Sequence, residues 1–493
     1  MTDLPPVEIV ATDLEPLKDF EGRIVVLVSG EGRLDAATRR VNRLCKGMVG
    51  RFVESDGFSD LKSGQSADLA CPSGMAAAAI QVVRLDKTAT VIEVRRAGAA
   101  IGKARGKADV LVLGGTRSRL SELVLGILLR GYTFDACKTG EGKAPAPGRT
   151  VVMVSDPVAL TRKMVAVQAL AEGVFFTRNL VNLPSNLLTT ENFADRLVAL
   201  REIGLEVEVL DEPELAELGM RMLLGVGQGS DSPTKVVVMR WAGGGAEAPL
   251  ALIGKGVVFD TGGISIKAAG GMEDMTMDMG GAGVVAGVMK TLALRKAAAN
   301  VVGLVGLVEN MPDGRAQRPG DIVTSMKGDT VEIINTDAEG RLVLGDVMWY
   351  AQERFKPIGM VDLATLTGAI IVALGHENAG VFSNDDGFCD GFLKAAAAEG
   401  EGAWRMPLAP AYAKALKSDK ADVKNVGNRW GGAIAAAEFL HRFVKDGTPW
   451  IHLDIAGVAQ PNSAPDLAPK GASGWGVLAL DRMIRDRFEG LKG

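Results

Sequence analysis

The sequence predicts an α/β protein in two parts: a small α/β domain over residues 1–157 and a larger one over 183–493, with a long helix over 158–182 between them. Three observations support this. At 493 residues the chain exceeds a single typical domain, and 47% hydrophobic content is ample for sizeable cores. Short apolar runs closed by glycine alternate with segments of helical spacing, the pattern of sheets covered by helices. Aromatic residues make up only 5% while glycine reaches 62 residues, which suits tightly packed layers.

Taken in order, RIVVLVSG (23–30) and ADVLVLGG (108–115) are apolar runs ended by glycine, as buried strands are, and helical spacing follows each. RTVVMVSDP (149–157) repeats the pattern and stops at a proline, while GEGKAPAPGR (140–149) has the glycine, proline and charge of an exposed loop. Apolar residues at three and four spacing across 158–182 read as one long helix. Thr189 or Thr190 is placed to cap the next helix, with Glu191 in its first turn.

LEVEVLD (205–211), TKVVVMRW (234–241) and PLALIG (249–254) are strand-like, and helix-forming stretches lie between several of them. GVGQGSDSP (225–233) is not GxGxxG and reads as a plain loop. Further on, 279–297 has the spacing of a buried helix, 298–310 that of a central strand and 341–355 that of a helix; WIHLDIAG (450–457) is a further strand. No internal repeat interrupts this order.

A net charge of −5 with both signs interspersed supplies no basic stripe, so nucleic acid is not an expected partner. The first residues lack a basic region followed by an apolar core, and no run of 18 apolar residues occurs, so no membrane is expected and a cytoplasmic protein is. Cys45, Cys71, Cys137 and Cys389 lie far apart without a CxxC pair, which fits reduced, mostly buried thiols. With three histidines (His376, His441 and His452) and no HExxH, any metal must be held by oxygen ligands and at most an amine.

Two segments concentrate charge on a glycine-rich backbone. In ALIGKGVVFDTGGISIKAAGGMEDMTMDMGGAG (251–283) stand Lys255, Asp260, Lys267 and Asp278; in INTDAEGRLVLGD (334–346) stand Asp337, Glu339 and Arg341. Alternation in an extended segment would point Asp337, Glu339 and Arg341 to one side. Lys255 with Asp260, Asp278, Asp337 and Glu339 is more charge than a fold gathers in one place without cations to neutralise it.

GKGVVFDTGGISIK, then DMGG, then the complete NTDAEGRL at 335–342 resembles the leucyl aminopeptidase family, cytosolic two-metal peptidases. TLTGA within MVDLATLTGAII (360–371), SDKADVKNVG (418–427) and NLPSNLLTTENFAD extend the resemblance over the C-terminal two thirds. It implies a small N-terminal α/β domain that serves assembly, an interdomain helix, and a larger catalytic α/β domain with a mixed central sheet covered by helices. It also implies removal of a leucine-like N-terminal residue from peptides with a free N-terminus, in a homohexamer.

The resemblance assigns two divalent ions, manganese or zinc, to Lys255, Asp260, Asp278, Asp337 and Glu339. Asp260 and Glu339 would bridge them, and Lys255 would ligate as a neutral amine. Lys267 would stabilise the oxyanion, and Arg341 would hold a bicarbonate serving as general base. Met275, Thr365, Gly368, Ala456 and, less closely matched, Ala459 would form the apolar pocket for the first side chain. By contrast, His376 and His452 read as partnered, partly buried histidines, and Glu273 and Asp274 as solvated loop charges. Two other readings stay open: a different binuclear hydrolase such as a phosphoesterase, and an accessory DNA-binding role documented for some family members.

Overall fold

Apolar runs in this chain become strands, and where they end, polar residues take over. The computed structural model describes residues 2–140, 143 and 146–490, so the loop expected over 140–149 lies partly outside the described residues. The chain divides into two units, Met1–Phe175 with Ala464–Pro469, and Phe176–Ser463 with Lys470–Gly493. The long helix is present as Pro157–Val181.

In the first unit, β1 (Val7–Ala11), β2 (Arg23–Val28), β3 (Ser66–Ala70), β4 (Ala79–Arg84), β5 (Val110–Gly115) and β6 (Thr150–Val154) form one sheet in the order β1-β6-β5-β2-β4-β3. All neighbours are parallel except β3, which runs antiparallel to β4 at the edge. The three runs read as strands are β2, β5 and β6, and their side chains with Ile80 and Val82 of β4 make the core.

The second unit holds β7 (Glu206–Leu210), β8 (Lys235–Ala242), β9 (Leu250–Asp260), β10 (Asn300–Asn310), β11 (Ile322–Thr324), β12 (Thr330–Glu332), β13 (Gly359–Ala364), β14 (Ala379–Ser383), β15 (Ala403–Arg405), β16 (Val423–Lys424) and β17 (Trp450–Asp454). Eight of them make a mixed sheet in the order β15-β14-β17-β13-β9-β10-β8-β7, and β11, β12 and β16 form a small second sheet. The four central strands β17, β13, β9 and β10 are parallel. Their carboxyl ends therefore share one edge, the side on which open α/β sheets bind ligands. Asp260, Asn310 and Asp454 are the last residues of β9, β10 and β17, and Thr365 follows β13 directly.

Helices Gly280–Arg295 and Gly340–Phe355 are buried along most of their length, as the absence of polar spacing in both segments implies. The stretch Met272–Arg295 is long and apolar enough to cross a membrane, and 83% of its apolar window is buried inside the protein. Thr189 caps helix Thr190–Val198 by accepting from the Asn192 N–H, with Glu191 in the first turn. Helix Arg221–Gly227 takes in the start of the segment read as a plain loop. Two of the four thiols, Cys71 and Cys137, are exposed rather than buried, because they lie in turns outside the core; none is in a disulfide.

One expectation about the backbone fails. The segment 335–339 is a turn and not a strand, Glu339 has helical angles (φ −76°, ψ −36°), and Arg341 lies in the first turn of helix Gly340–Phe355. Residues two apart on a helix point away from each other. Alternation is not what brings Asp337, Glu339 and Arg341 to one place; the turn that leads into the start of this helix is.

Further along that helix the Asp346 carboxylate is fully buried and accepts from the Met326 N–H (2.8 Å) and the Leu223 N–H (3.0 Å). Burial pushes its carboxyl up to about 7, although the backbone N–H groups of Met326, Leu223 and Met222 favour the charge. A carboxyl that keeps its proton longer when folded contributes stability that is complete below the usual carboxylate range and lost as pH rises through about 7. Denaturant unfolding of wild type and Asp346→Asn should therefore show the wild type's advantage shrinking from pH 5 to pH 8; a difference constant across that range would contradict the assignment.

Candidate active site

The seven charged residues singled out in the sequence line one cavity of about 530 Å³ at the carboxyl edge of the large sheet. Each arrives by a different route. Lys255 projects from within β9, and its Nζ donates to Asp278 Oδ1 (2.7 Å) and to the Thr365 carbonyl (3.0 Å). It also lies 2.8 Å from Glu339 Oε1. Gly340 makes this possible: a Cβ there would come within 2.7 Å of Lys255 Cε.

Asp260 Oδ1 accepts from the Gly262 N–H (2.9 Å) and from Asn310 Nδ2 (2.8 Å), so the neighbouring strand end orients it. Its Oδ2 is 2.7 Å from Lys267 Nζ, and Lys267 also donates to Asp337 Oδ1. Gly262 turns the chain here with φ +86°, a conformation that side-chain-bearing residues avoid. Thr336 then ties the two charged segments together. Its hydroxyl donates to the Gly262 carbonyl (2.6 Å) and accepts from the Ser265 N–H (2.8 Å).

Carboxylate oxygens of Asp260, Asp337 and Glu339 lie within 4.8 Å of one another, with Asp278 across Lys255. Burial raises the carboxyl pKa values of Asp278, Asp337 and Glu339; the lysines lower them only in part, and neighbouring carboxylates raise them further. Burial works against the charges on Lys255 and Lys267, yet the acids hold both lysines above the ordinary range, Asp278 contributing most for Lys255 and Asp260 for Lys267. Metal ligation would require Lys255 as the neutral amine. Asp278 Oδ2 is buried with the Lys255 ammonium 2.7 Å away, and Glu339 Oε2 is buried without a hydrogen-bond partner. Four acids against two lysines, with an acceptor oxygen left over, is a set that hard divalent cations fit.

Arg341 is 7% exposed, donates to the Asn425 carbonyl (2.7 Å), and has a buried Nε without a partner. Burial pushes it down to about 10, while Glu339 and Asp454 work the other way. No ion pair to Arg341 occurs among the described residues. A buried guanidinium without a counter-ion is suited to an anion.

Met275, Thr365, Gly368 and Ala456 line the same cavity, together with Met277, Ala369, Ile371 and Val426. Ala459 does not line it; its methyl is buried against Gly280, where a Cβ would meet it at 3.4 Å. His452 Nδ1 bonds Asp362 Oδ1 (2.6 Å) in the core, and His376 Nδ1 bonds the Gly457 carbonyl (2.7 Å), so both are partnered away from the cavity. Glu273 and Asp274 are exposed. A wider cleft of about 1080 Å³ in the first unit is lined by Lys62, Arg96, Lys103 and Arg130 and includes none of the clustered acids.

The sequence reading missed four residues that shape the site. Asn310 and Thr336 orient Asp260 and its loop, as described. Asn425 accepts from the Ile334 N–H (2.8 Å) and donates to the Asn335 carbonyl (2.6 Å), and Asp454 accepts from the Leu366 N–H (3.1 Å). Asn310 and Asp454 each gave only the signal of one polar residue at the end of an apolar run, while Thr336 and Asn425 lie inside NTDAEGRL and SDKADVKNVG, where the charged residues drew attention instead.

The model of the cytosol aminopeptidase family catalytic domain matches residues 175–480, which include every residue of the cavity. The chain belongs to the cytosol aminopeptidase family. It is 62% identical to a “Probable cytosol aminopeptidase” of Dinoroseobacter shibae over 490 residues, covering 99% of this chain and 100% of that one. It is 60% identical to the protein of the same description from Cereibacter sphaeroides over equal shares. Among solved structures it is similar to the bottromycin maturation enzyme BotP in complex with Mn, at 32% identity and a TM-score of 0.81, covering 95% of this chain and 99% of BotP. This family member is thus a peptidase hydrolase, an aminopeptidase of mixed α/β fold.

Gly340→Ala tests the geometry around Lys255. Alanine favours a helix, so stability should hold, but the added methyl must displace the lysine. Peptide hydrolysis should fall about tenfold or more, with the melting temperature within a few degrees of wild type. Undiminished turnover would show that the lysine's place is unimportant.

Proposed function

We propose that the enzyme removes leucine-like N-terminal residues from peptides with two divalent ions held by Lys255, Asp260, Asp278, Asp337 and Glu339. The observation that carries this is the convergence of those five groups, with Glu339 Oε2 buried and unpartnered, on the cavity where Lys267 and Arg341 also end. The Mn in the BotP complex supports manganese, and zinc suits the same ligands. Bound divalent ions supply Lewis acidity and lower the pKa of water.

The chain's own residues do the rest. Asp260, Asp278, Asp337 and Glu339 would hold the ions through carboxylate oxygens, and Lys255 would join them as a neutral amine, its charged form being disfavoured beside cations. Lys267, half buried and charged, is placed to stabilise negative charge developing on a carbonyl oxygen. Arg341 keeps its proton at neutral pH and cannot itself accept one. Its free donors suit a planar anion such as bicarbonate, which can.

Acids around the cavity favour a substrate amine, which explains removal of one residue from a free N-terminus. Met275, Thr365, Gly368 and Ala456 form a mostly apolar wall for its side chain. Gly368 adds room, since a Cβ there would meet nothing within 4 Å. The family resemblance further supports a cytoplasmic homohexamer assembled through the N-terminal domain.

The deciding experiment assays metal-stripped protein on leucyl, methionyl and alanyl amides after adding back manganese, zinc or cobalt. Hydrolysis should return with metal, favour leucyl and methionyl substrates, and be absent for N-acetylated ones. Equal turnover of blocked and free substrates would exclude an exopeptidase. A separate test addresses Arg341: wild-type rates should rise when bicarbonate is added to carbonate-depleted buffer, and Arg341→Ala should lose turnover but keep its metal. Identical rates in both buffers would remove the anion from the scheme.

A further inference from the structure

Asp454 is a fully buried carboxylate close to the cavity that the proposed chemistry leaves unused. All its hydrogen bonds go to two adjoining loops. Oδ1 accepts from the N–H groups of Leu366 (3.1 Å), Thr367 (3.4 Å) and Ala456 (3.3 Å), and Oδ2 accepts from the Thr367 hydroxyl (2.7 Å). That hydroxyl in turn accepts from the Ile370 N–H (3.2 Å), so Thr367 caps helix Gly368–Leu374 while its own proton is committed to Asp454.

The opposite side of the same segment is fastened to the charged cluster. The Thr365 carbonyl accepts from Lys255 Nζ (3.0 Å), and its hydroxyl donates to Asp278 Oδ1 (2.8 Å). Residues 365–369 and Ala456 form one wall of the cavity. This wall is therefore held at two places, by the candidate metal ligands and by Asp454. A buried carboxylate that met no purpose beyond filling space would be replaced at little cost by an apolar residue; here it is saturated by donors from the wall itself.

We propose that Asp454 and Thr367 are positioning residues that fix the 365–369 wall against the Lys255–Asp278 pair and so set which N-terminal side chains the enzyme accepts. This rests on the aminopeptidase reading, since the wall is taken as the one facing the substrate's first side chain. Removing the hydroxyl leaves Asp454 Oδ2 without a donor and the helix without its cap. The wall then moves relative to Lys255, and discrimination among first residues suffers more than metal binding.

The test uses the full-length, metal-loaded enzyme with Thr367→Val, Asp454→Asn and the conservative Thr367→Ser. For Thr367→Val and Asp454→Asn, kcat/KM on leucyl-p-nitroanilide should fall about tenfold or more, chiefly through KM. The loss on alanyl-p-nitroanilide should be smaller, so the leucyl-to-alanyl ratio drops, while metal per subunit stays at the wild-type value. Thr367→Ser, which keeps the hydroxyl, should restore most of the ratio. Hydrogen exchange at the Leu366, Thr367 and Ile370 amides should quicken in the two disruptive variants. An unchanged ratio with unchanged exchange, or equal losses on both substrates accompanied by metal loss, would overturn the proposal. Failure of the aminopeptidase reading would look different: wild type inert on both substrates, with the exchange measurement still deciding whether Asp454 and Thr367 hold the wall.

Discussion

Four carboxylates and two ammonium groups held together under cover are the constraint on which the larger unit depends. An uncompensated buried charge costs on the order of several kcal/mol, so such a cluster persists only where its oxygens are held by donors or cations. The donors are visible: Asn310 and the Gly262 N–H on Asp260, Thr365 on Asp278, and Lys255 and Lys267 between the acids. What they leave over, Glu339 Oε2, is where the chemistry of a metallopeptidase has room to operate.

The sheet makes the gathering possible. Four parallel strands end on one edge, and the pairing of β9 with β10 sets Asp260 opposite Asn310. β13 runs between β9 and β17, which places the Thr365 segment between Lys255 and Asp454. Glycine at 340 and at 262 then lets backbone approach where a side chain would collide with Lys255 or with Asp337. Rigid elements carry the acids, while the turns between them carry the hydrogen bonds that aim them, an arrangement expected to hold a site to within fractions of an ångström.

Residues that aim the site and residues that do its chemistry are distinct here, and they differ in how visible they are. Lys255, Asp260, Lys267 and Asp278 stand out because charge on a glycine-rich backbone after an apolar run is unusual. Asn310 and Asp454 do not, because one polar residue at the end of a strand is common in any α/β protein, and the uncharged Thr336 and Asn425 do not because their segments are read for their charges. Asp454 in particular sits in WIHLDIAG, which reads only as a buried strand.

Periodicity and composition by themselves determined the α/β class, the long helix at Pro157–Val181 and the core strands β2, β5, β6, β8, β9, β10 and β17, while the motifs shared with the family singled out the charged residues that face the cavity. These are local properties, since apolar spacing reflects which face of a single element is buried. Strands β1, β3 and β4 escaped notice because β1 and β3 are half exposed and Gln81 breaks the apolar run of β4. Only the tertiary structure decided that Asp337, Glu339 and Arg341 meet through a turn and a helix start instead of an alternating strand. It alone decided, too, that Ala459 lies behind the cavity wall and that Asp454 and Thr367 hold that wall in place. The last two relations join residues tens to more than a hundred positions apart, and strand order and register across the sheet, which no local pattern encodes, are what bring them into contact.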